Sequence, residues 1–282
     1  VAQVLAFAGI SPPRRFLSCW HVYCLDKSDV CIDVKEVSMR NTRIRIVGIL
    51  FALCSAAGAF AFTLEPMTAN LLPSGSTRIA TFYVTNDGSS RIALRFRVVT
   101  RSAGADGKES NTPAEEDFAV YPARAVVEPG SSAAVKIQWR GAERLERESC
   151  YRFIAEEVPI DSAQRTESGL RVMFRYIASV YVGTRDFEPK LEVSVQPSAD
   201  ANGRKGFFVE IANRGTRHVV ANNVSIDLVS AGGQSISLSG IALGILNASN
   251  YLPGAAYRVF VPGPSPCPDG PFEAALKYES EY

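Results

Sequence analysis

The stretch GLRVMFRYIASVYV, residues 169–182, alternates with period two. Leu170, Val172, Phe174 and Tyr176 fall on one face, and Arg171, Met173, Arg175 and Ile177 on the other. Such alternation of β-branched and aromatic residues is the pattern of a β-strand. The run before it, PIDSAQRTES, is polar and reads as a loop. An apolar strand after a loop serves its own core or another protein, and the alternation alone leaves both open.

Similar strands recur on either side. STRIATFYVTN sets Ile79, Thr81 and Tyr83 against Ala80, Phe82 and Val84. SRIALRFRVVTR sets Ile92, Leu94, Phe96 and Val98 against Ala93, Arg95, Arg97 and Val99. AVYPARAVVEPGSSAAVKIQW reads as two short strands around a Pro129-Gly130 turn, and CYRFIAEEVP as another strand. Asp87-Gly88 and the Gly104–Gly107 segment supply further turns. GAERLERES, 141–149, is the best helical candidate, with a polar loop as the alternative. A short Gly/Pro/charged segment, GTRDFEPK (183–190), separates this series from a second: LEVSVQ, KGFFVEIANRG, NVSIDLVSAGG, AAYRVFVPG and FEAALKYES. Many short strands between turns predict an all-β protein of two immunoglobulin-like β-sandwich domains, over 62–184 and 187–282. FYVTNDG and VEIANRG share a rhythm that suggests the two halves begin alike.

The amino end reads differently. Arg40, Arg43 and Arg45 precede an apolar run from Ile46 to Leu53, broken only by Gly48, and small residues lead to Ala59-Phe60-Ala61. That is the pattern of a secretory signal peptide over 39–61. Residues 1–38 then read as a spurious upstream extension, and Cys19, His21, Cys24 and Cys31 within it fit no familiar zinc spacing. Cys54 would suit a lipoprotein, but bulky Leu53 precedes it. From Phe62 onward, 23 Lys/Arg face 25 Asp/Glu. The near-neutral balance argues against nucleic acid as a partner.

Little chemistry is legible. His218 is the only histidine after residue 61, and no G-x-S-x-G elbow is present. Glu156 and Glu157 are neighbours on a strand and point to opposite faces. Asn223 and Asn247 match glycosylation acceptors, a short pattern that arises by chance. Cys150 and Cys267 fall in different predicted domains, so no bridge between them is expected.

The order of motifs in the first half resembles a known family. FTLEPMTANLLPSGSTRIATFYVTNDG, then Pro122, Val127, Pro129, Gly130, Val135 and Ile137, then YRFIAEEVP with its polar loop and GLRVMFRYIASVYV, are similar to the periplasmic pilus-assembly chaperones of chaperone–usher systems. The second half resembles them only in size and strand pattern. The resemblance implies a boomerang of two immunoglobulin-like domains in the periplasm, with no enzymatic activity, no cofactor, no metal and no small-molecule substrate. It implies pilin or fimbrial subunits and an outer-membrane usher as partners. Leu170, Val172, Phe174 and Tyr176 would be the side chains lent to a subunit. Many members bind the client carboxylate with one arginine and one lysine, but Thr68 and Ser179 stand at those places here. Arg175 and Arg97 are the replacement candidates, since arginine forks suit carboxylates. A self-capping oligomer that hides the lent strand is left open. The alternative reading is an exported structural or adhesive β-sandwich protein of a surface fibre.

Overall fold

The computed structural model describes residues 2–6, 62–159, 172–265, 267 and 271–281. The signal-peptide reading, Leu170 and most of the loop before it fall outside these residues.

A first group of strands builds one sandwich. They are β1 (Ala2–Ala6), β2 (Phe62–Glu65), β3 (Thr68–Leu71), β4 (Ile79–Asn86), β5 (Ile92–Thr100), β6 (Ser102–Ala103), β7 (Glu109–Ser110), β8 (Phe118–Tyr121), β9 (Arg124–Val127), β10 (Ser132–Trp139), β11 (Ser149–Val158) and β12 (Val172–Val182). One sheet runs β1-β12-β11-β5-β9, with β3 also paired to β12, and the facing sheet runs β2-β4-β10-β8. A second group comprises β13 (Leu191–Ala199), β14 (Lys205–Asn213), β15 (Val219–Ser230), β16 (Ser235–Ser239), β17 (Ser249–Tyr251), β18 (Ala256–Pro262) and β19 (Phe272–Glu281). Its sheets are β13-β14-β18 and β16-β15-β17, with β19 on β15.

The alternation dictates which faces meet. On β4, Phe82 and Val84 are fully buried while Tyr83 between them is 55% exposed. Phe82 stacks on Phe153 of the facing sheet, with ring centroids 4.2 Å apart. Leu94, Val135, Ile137, Ala178 and Val180 complete this core with no exposed surface. Burying each large side chain contributes about 1.5–3 kcal/mol. A separate core gathers Phe207, Val209, Ile211, Ile226, Leu228 and Tyr251. Phe187, within the connecting segment 183–190, is itself buried.

One expectation needs correction, and one open alternative is decided. AVYPARAVVEPGSSAAVKIQW holds three strands, not two. Tyr121 pairs with Lys136 in one sheet and Arg124 with Arg95 in the other, so the chain changes sheets at Pro122. Proline, without an N–H, suits that break. GAERLERES is a loop leading into β11; Ala142 and Leu145 are its only apolar residues, too few for a helical stripe.

The shared rhythm of FYVTNDG and VEIANRG has a structural basis. Asn86 and Asn213 end β4 and β14, and both are buried. Each amide donates to the carbonyl four residues on, Ser90 at 2.8 Å and Arg217 at 2.7 Å. Each also donates across the sandwich, to Val127 O and Tyr251 O, both at 2.9 Å. Each side-chain oxygen accepts from the glycine two residues on, Gly88 or Gly215. Their carbonyls accept from Gly130 and Gly254, which follow Pro129 and Pro253. Both glycines sit at positive φ, +67° and +79°, a conformation that side chains disfavour. The same clamp is thus built once per sandwich.

Candidate functional site: a half-covered strand and an arginine-rich face

Strand β12 divides into two parts. Along Arg175–Val182 it pairs with β11, from Arg175↔Glu156 to Val182↔Ser149. Its other side is covered by β3 only over Ser179–Val182, in parallel register. Ala178, Val180 and Val182 are fully buried there. Over Val172–Tyr176 that other side takes β1 as an antiparallel partner, from Ala6↔Val172 to Ala2↔Tyr176. Ala2–Ala6 lies in the stretch read above as an upstream extension. An extended segment from far along the sequence seats on this edge because its N–H and C=O groups have no other partner from β3.

Val172, Phe174 and Tyr176 share the face that Ala178, Val180 and Val182 turn to the core. They are half-buried at its rim. Phe174 and Tyr176 pack against the first core, with the Tyr176 ring 4.6 Å from that of Phe62.

The opposite face of this sheet is dense in arginine. Strand register places Arg95, Glu156 and Arg175 in one row and Arg97, Ile154 and Ile177 in the next. Arg95 at 3.2 Å, Arg175 at 3.3 Å and Arg97 at closer range all reach the Glu156 carboxylate. The two anchor candidates Arg97 and Arg175 are therefore brought together, on an anion already present. Thr68 and Ser179 are direct partners in the β3–β12 ladder. Ser179 Oγ accepts from Arg152 Nη1 at 2.7 Å.

Arg152 had no place in the sequence reading, nor had Arg101. Both converge on Glu109, which the β6–β7 hairpin carries over this face. Arg101 donates to Glu109 at 2.7 and 2.8 Å, and Arg152 Nε at 3.0 Å with a closer contact through Nη2. Burial raises the Glu109 carboxyl, but the hydrogen bond from Arg152 and the two guanidinium charges outweigh it, and the net shift is below the ordinary glutamate value. Glu156 shifts the same way, burial being outweighed by Arg97 and Arg95. Both carboxylates thus stabilise the fold above their ordinary value of 4.5, and that contribution is lost as pH falls through their depressed values. Glu109→Gln combined with Glu156→Gln is expected to lower the melting temperature at pH 7 and to lose less on acidification to pH 3 than the parent chain. Thermal melts at the two pH values check this.

The two sandwiches meet at the far end of β12. Tyr181 stacks on His218 with ring centroids 3.6 Å apart and planes 5° apart. Its hydroxyl oxygen accepts from Arg101 at 3.0 Å and from Asn250 at 2.7 Å. Glu148, buried, lies 2.5 Å from His218 Nδ1 and accepts from the His218 backbone N–H. The Cys150 thiol donates to the same carboxylate, and burial, then the Glu148 charge, push it far up, so it stays protonated. Tyr181→Phe keeps the stack but leaves two donors unmet. It is expected to cost about 1–2 kcal/mol, read as a lower denaturant midpoint. Cys150 is a free thiol. Among the described residues no group of His, Cys, Asp and Glu could hold a metal ion, and no helix is long and apolar enough to cross a membrane.

Comparison with known proteins bears on the fold. The family model of the pili and flagellar-assembly chaperone, PapD N-terminal domain, matches residues 64–182. A solved chaperone–tip adhesion subunit pre-assembly complex of archaic chaperone–usher Csu pili, from Acinetobacter baumannii, is 13% identical. That match covers 78% of this chain and 97% of the other, with a TM-score of 0.50. A chaperone–tip adhesin complex of CFA/I fimbriae biogenesis is also 13% identical, covering 77% and 93%, with a TM-score of 0.49. No curated protein matches the chain by sequence. Residues 64–182, with β12 at their end, match the pili and flagellar-assembly chaperone model, and the chain has the two-sandwich fold of PapD-like chaperones.

Proposed function

We propose that this protein is a periplasmic, non-enzymatic chaperone that lends the free half of β12 to an incomplete pilin or fimbrial subunit and hands the subunit to an outer-membrane usher. The observation that carries this reading is the division of β12. One half is locked into its own sandwich between β11 and β3, and the other keeps an edge to which Ala2–Ala6 pairs. A strand added at such an edge gains backbone hydrogen bonds, and alternate side chains fill pockets. Val172, Phe174 and Tyr176 are the side chains offered, with Leu170 as the fourth in the same alternation. Arg175 and Arg97 are proposed to meet a client carboxylate, in exchange with Glu156. The solved Csu complex pairs its own chaperone with a tip subunit, which supports the subunit class.

The packing of Phe174 and Tyr176 on the first core favours a second reading. There, β12 serves only its own sandwich, in a structural or adhesive protein of a surface fibre. Co-expression with a pilin-like subunit, followed by pull-down, separates the two. A subunit held as well by the Val172→Arg, Phe174→Arg variant as by the parent chain overturns strand lending.

A further inference from the structure

The outer face of the β5–β11–β12 sheet has a feature that the lent side chains Val172, Phe174 and Tyr176 do not use. The β6–β7 hairpin leans over that face, and a groove of about 540 Å³ runs between them. Lys108 and Asn111 line one wall, and Arg152, Arg175, Ile154 and Ile177 the other. Six cations are gathered in and beside it: Arg95, Arg97, Arg101, Lys108, Arg152 and Arg175. Three anions answer them: Asp106, Glu109 and Glu156. The whole chain carries only +1, so the excess is local. The floor is apolar at Ile154 and Ile177, which suits the stem of a peptide rather than a flat, hydrated surface.

The hairpin supplies one of the anions itself. It is closed by the short β6–β7 pairing and by Gly104 N–H to Lys108 O at 3.0 Å. Its tip is held by the second sandwich, where Arg258 N–H donates to Ala105 O at 2.9 Å. Glu109 at its base satisfies two guanidiniums at once. One carboxylate between two arginines leaves positive charge unanswered, and a second carboxylate from outside can share or replace it.

From this geometry we infer that the groove is a docking site for an acidic peptide segment, whose side-chain carboxylates exchange with Glu109 on Arg152 and continue to Arg175. Glu109 is then an internal competitor. The site lies on the opposite face of β12 from Phe174 and Tyr176, so the apolar side chains lent to a subunit stay clear of it, and Arg175 alone is shared with the client carboxylate proposed above.

The test is fluorescence anisotropy of the full chain with a labelled hexaglutamate peptide, at 50 and 300 mM NaCl. The parent chain should bind it at low salt and lose it at high salt. Arg152→Gln with Arg175→Gln should weaken binding about tenfold or more. Glu109→Gln should strengthen it several-fold, because the competitor is gone, whereas a merely structural role for Glu109 predicts weaker binding. Unchanged binding in the arginine variant overturns the proposal, as does weaker or unchanged binding in Glu109→Gln. Recruitment to phosphatidylglycerol vesicles without peptide binding overturns it too, in favour of a lipid-facing surface. Should the arginine variant fail to fold, Glu109→Gln decides alone. No pilin subunit enters the experiment, so its failure leaves strand lending untouched.

Discussion

Val172→Arg combined with Phe174→Arg is expected to leave both sandwiches folded and to abolish co-purification with a subunit. The reasoning is positional. Both side chains sit half-buried at the rim of the first core, where a long arginine can turn its head to water. The cost to the chain's own fold is then about 1 kcal/mol. In a subunit's dry groove the same guanidiniums would lose their hydration with no partner, a penalty of several kcal/mol per ion. The apolar contribution lost with Val172 and Phe174 adds about 1.5–3 kcal/mol for each. Even a net loss near 4 kcal/mol weakens binding about a thousandfold. Val180→Arg is the control, because Val180 is fully buried beneath β3 and β11, and it should unfold the first sandwich. A double variant that unfolds as Val180→Arg does would show that residues 172–174 are core.

The strand pattern was legible because period-two alternation is local. Phe82 and Val84 go in and Tyr83 goes out for reasons contained within three residues. The sheet change at Pro122 was not legible as such, since it depends on which strand each flank pairs with. The candidate site divides in the same way. The face of β12 that runs through Val172, Phe174 and Tyr176 can be read from the sequence. How far β3 covers the strand's edge cannot, because β3 lies more than a hundred residues upstream. Arg97 and Arg175 stood out as cations on apolar strands, yet both already share Glu156. Arg101, Arg152 and Glu109 went unnoticed, since their convergence joins a hairpin to two strands. The stack of Tyr181 on His218 joins the two sandwiches and has no local signature.

The shared clamp yields the other large effect, and it should be specific to one sandwich at a time. Asn86→Ala removes two donors and one acceptor from a buried position, and with them the hydrogen bond across the sandwich to the Val127 carbonyl. Asn213→Ala does the same to the Tyr251 carbonyl. A buried group left without its partner costs about 1–3 kcal/mol, and the remaining two can turn partly to water. A loss of about 2–4 kcal/mol is expected in each case. Aspartate is the sharper probe. Asn86→Asp keeps the shape and the acceptor for Gly88, but sets a carboxylate against two carbonyl oxygens. It should therefore destabilise more than alanine does, the reverse of what loss of packing volume would give. A chain beginning at Phe62 has Trp139 as its only tryptophan, and Trp139 lies in the first core. Its fluorescence should report a lowered denaturant midpoint for the Asn86 variants and little change for the Asn213 variants, while total β-sheet circular dichroism falls early in both. An Asn86→Asp chain as stable as its parent would mean that the amide's two donated hydrogen bonds do not hold the sandwich together.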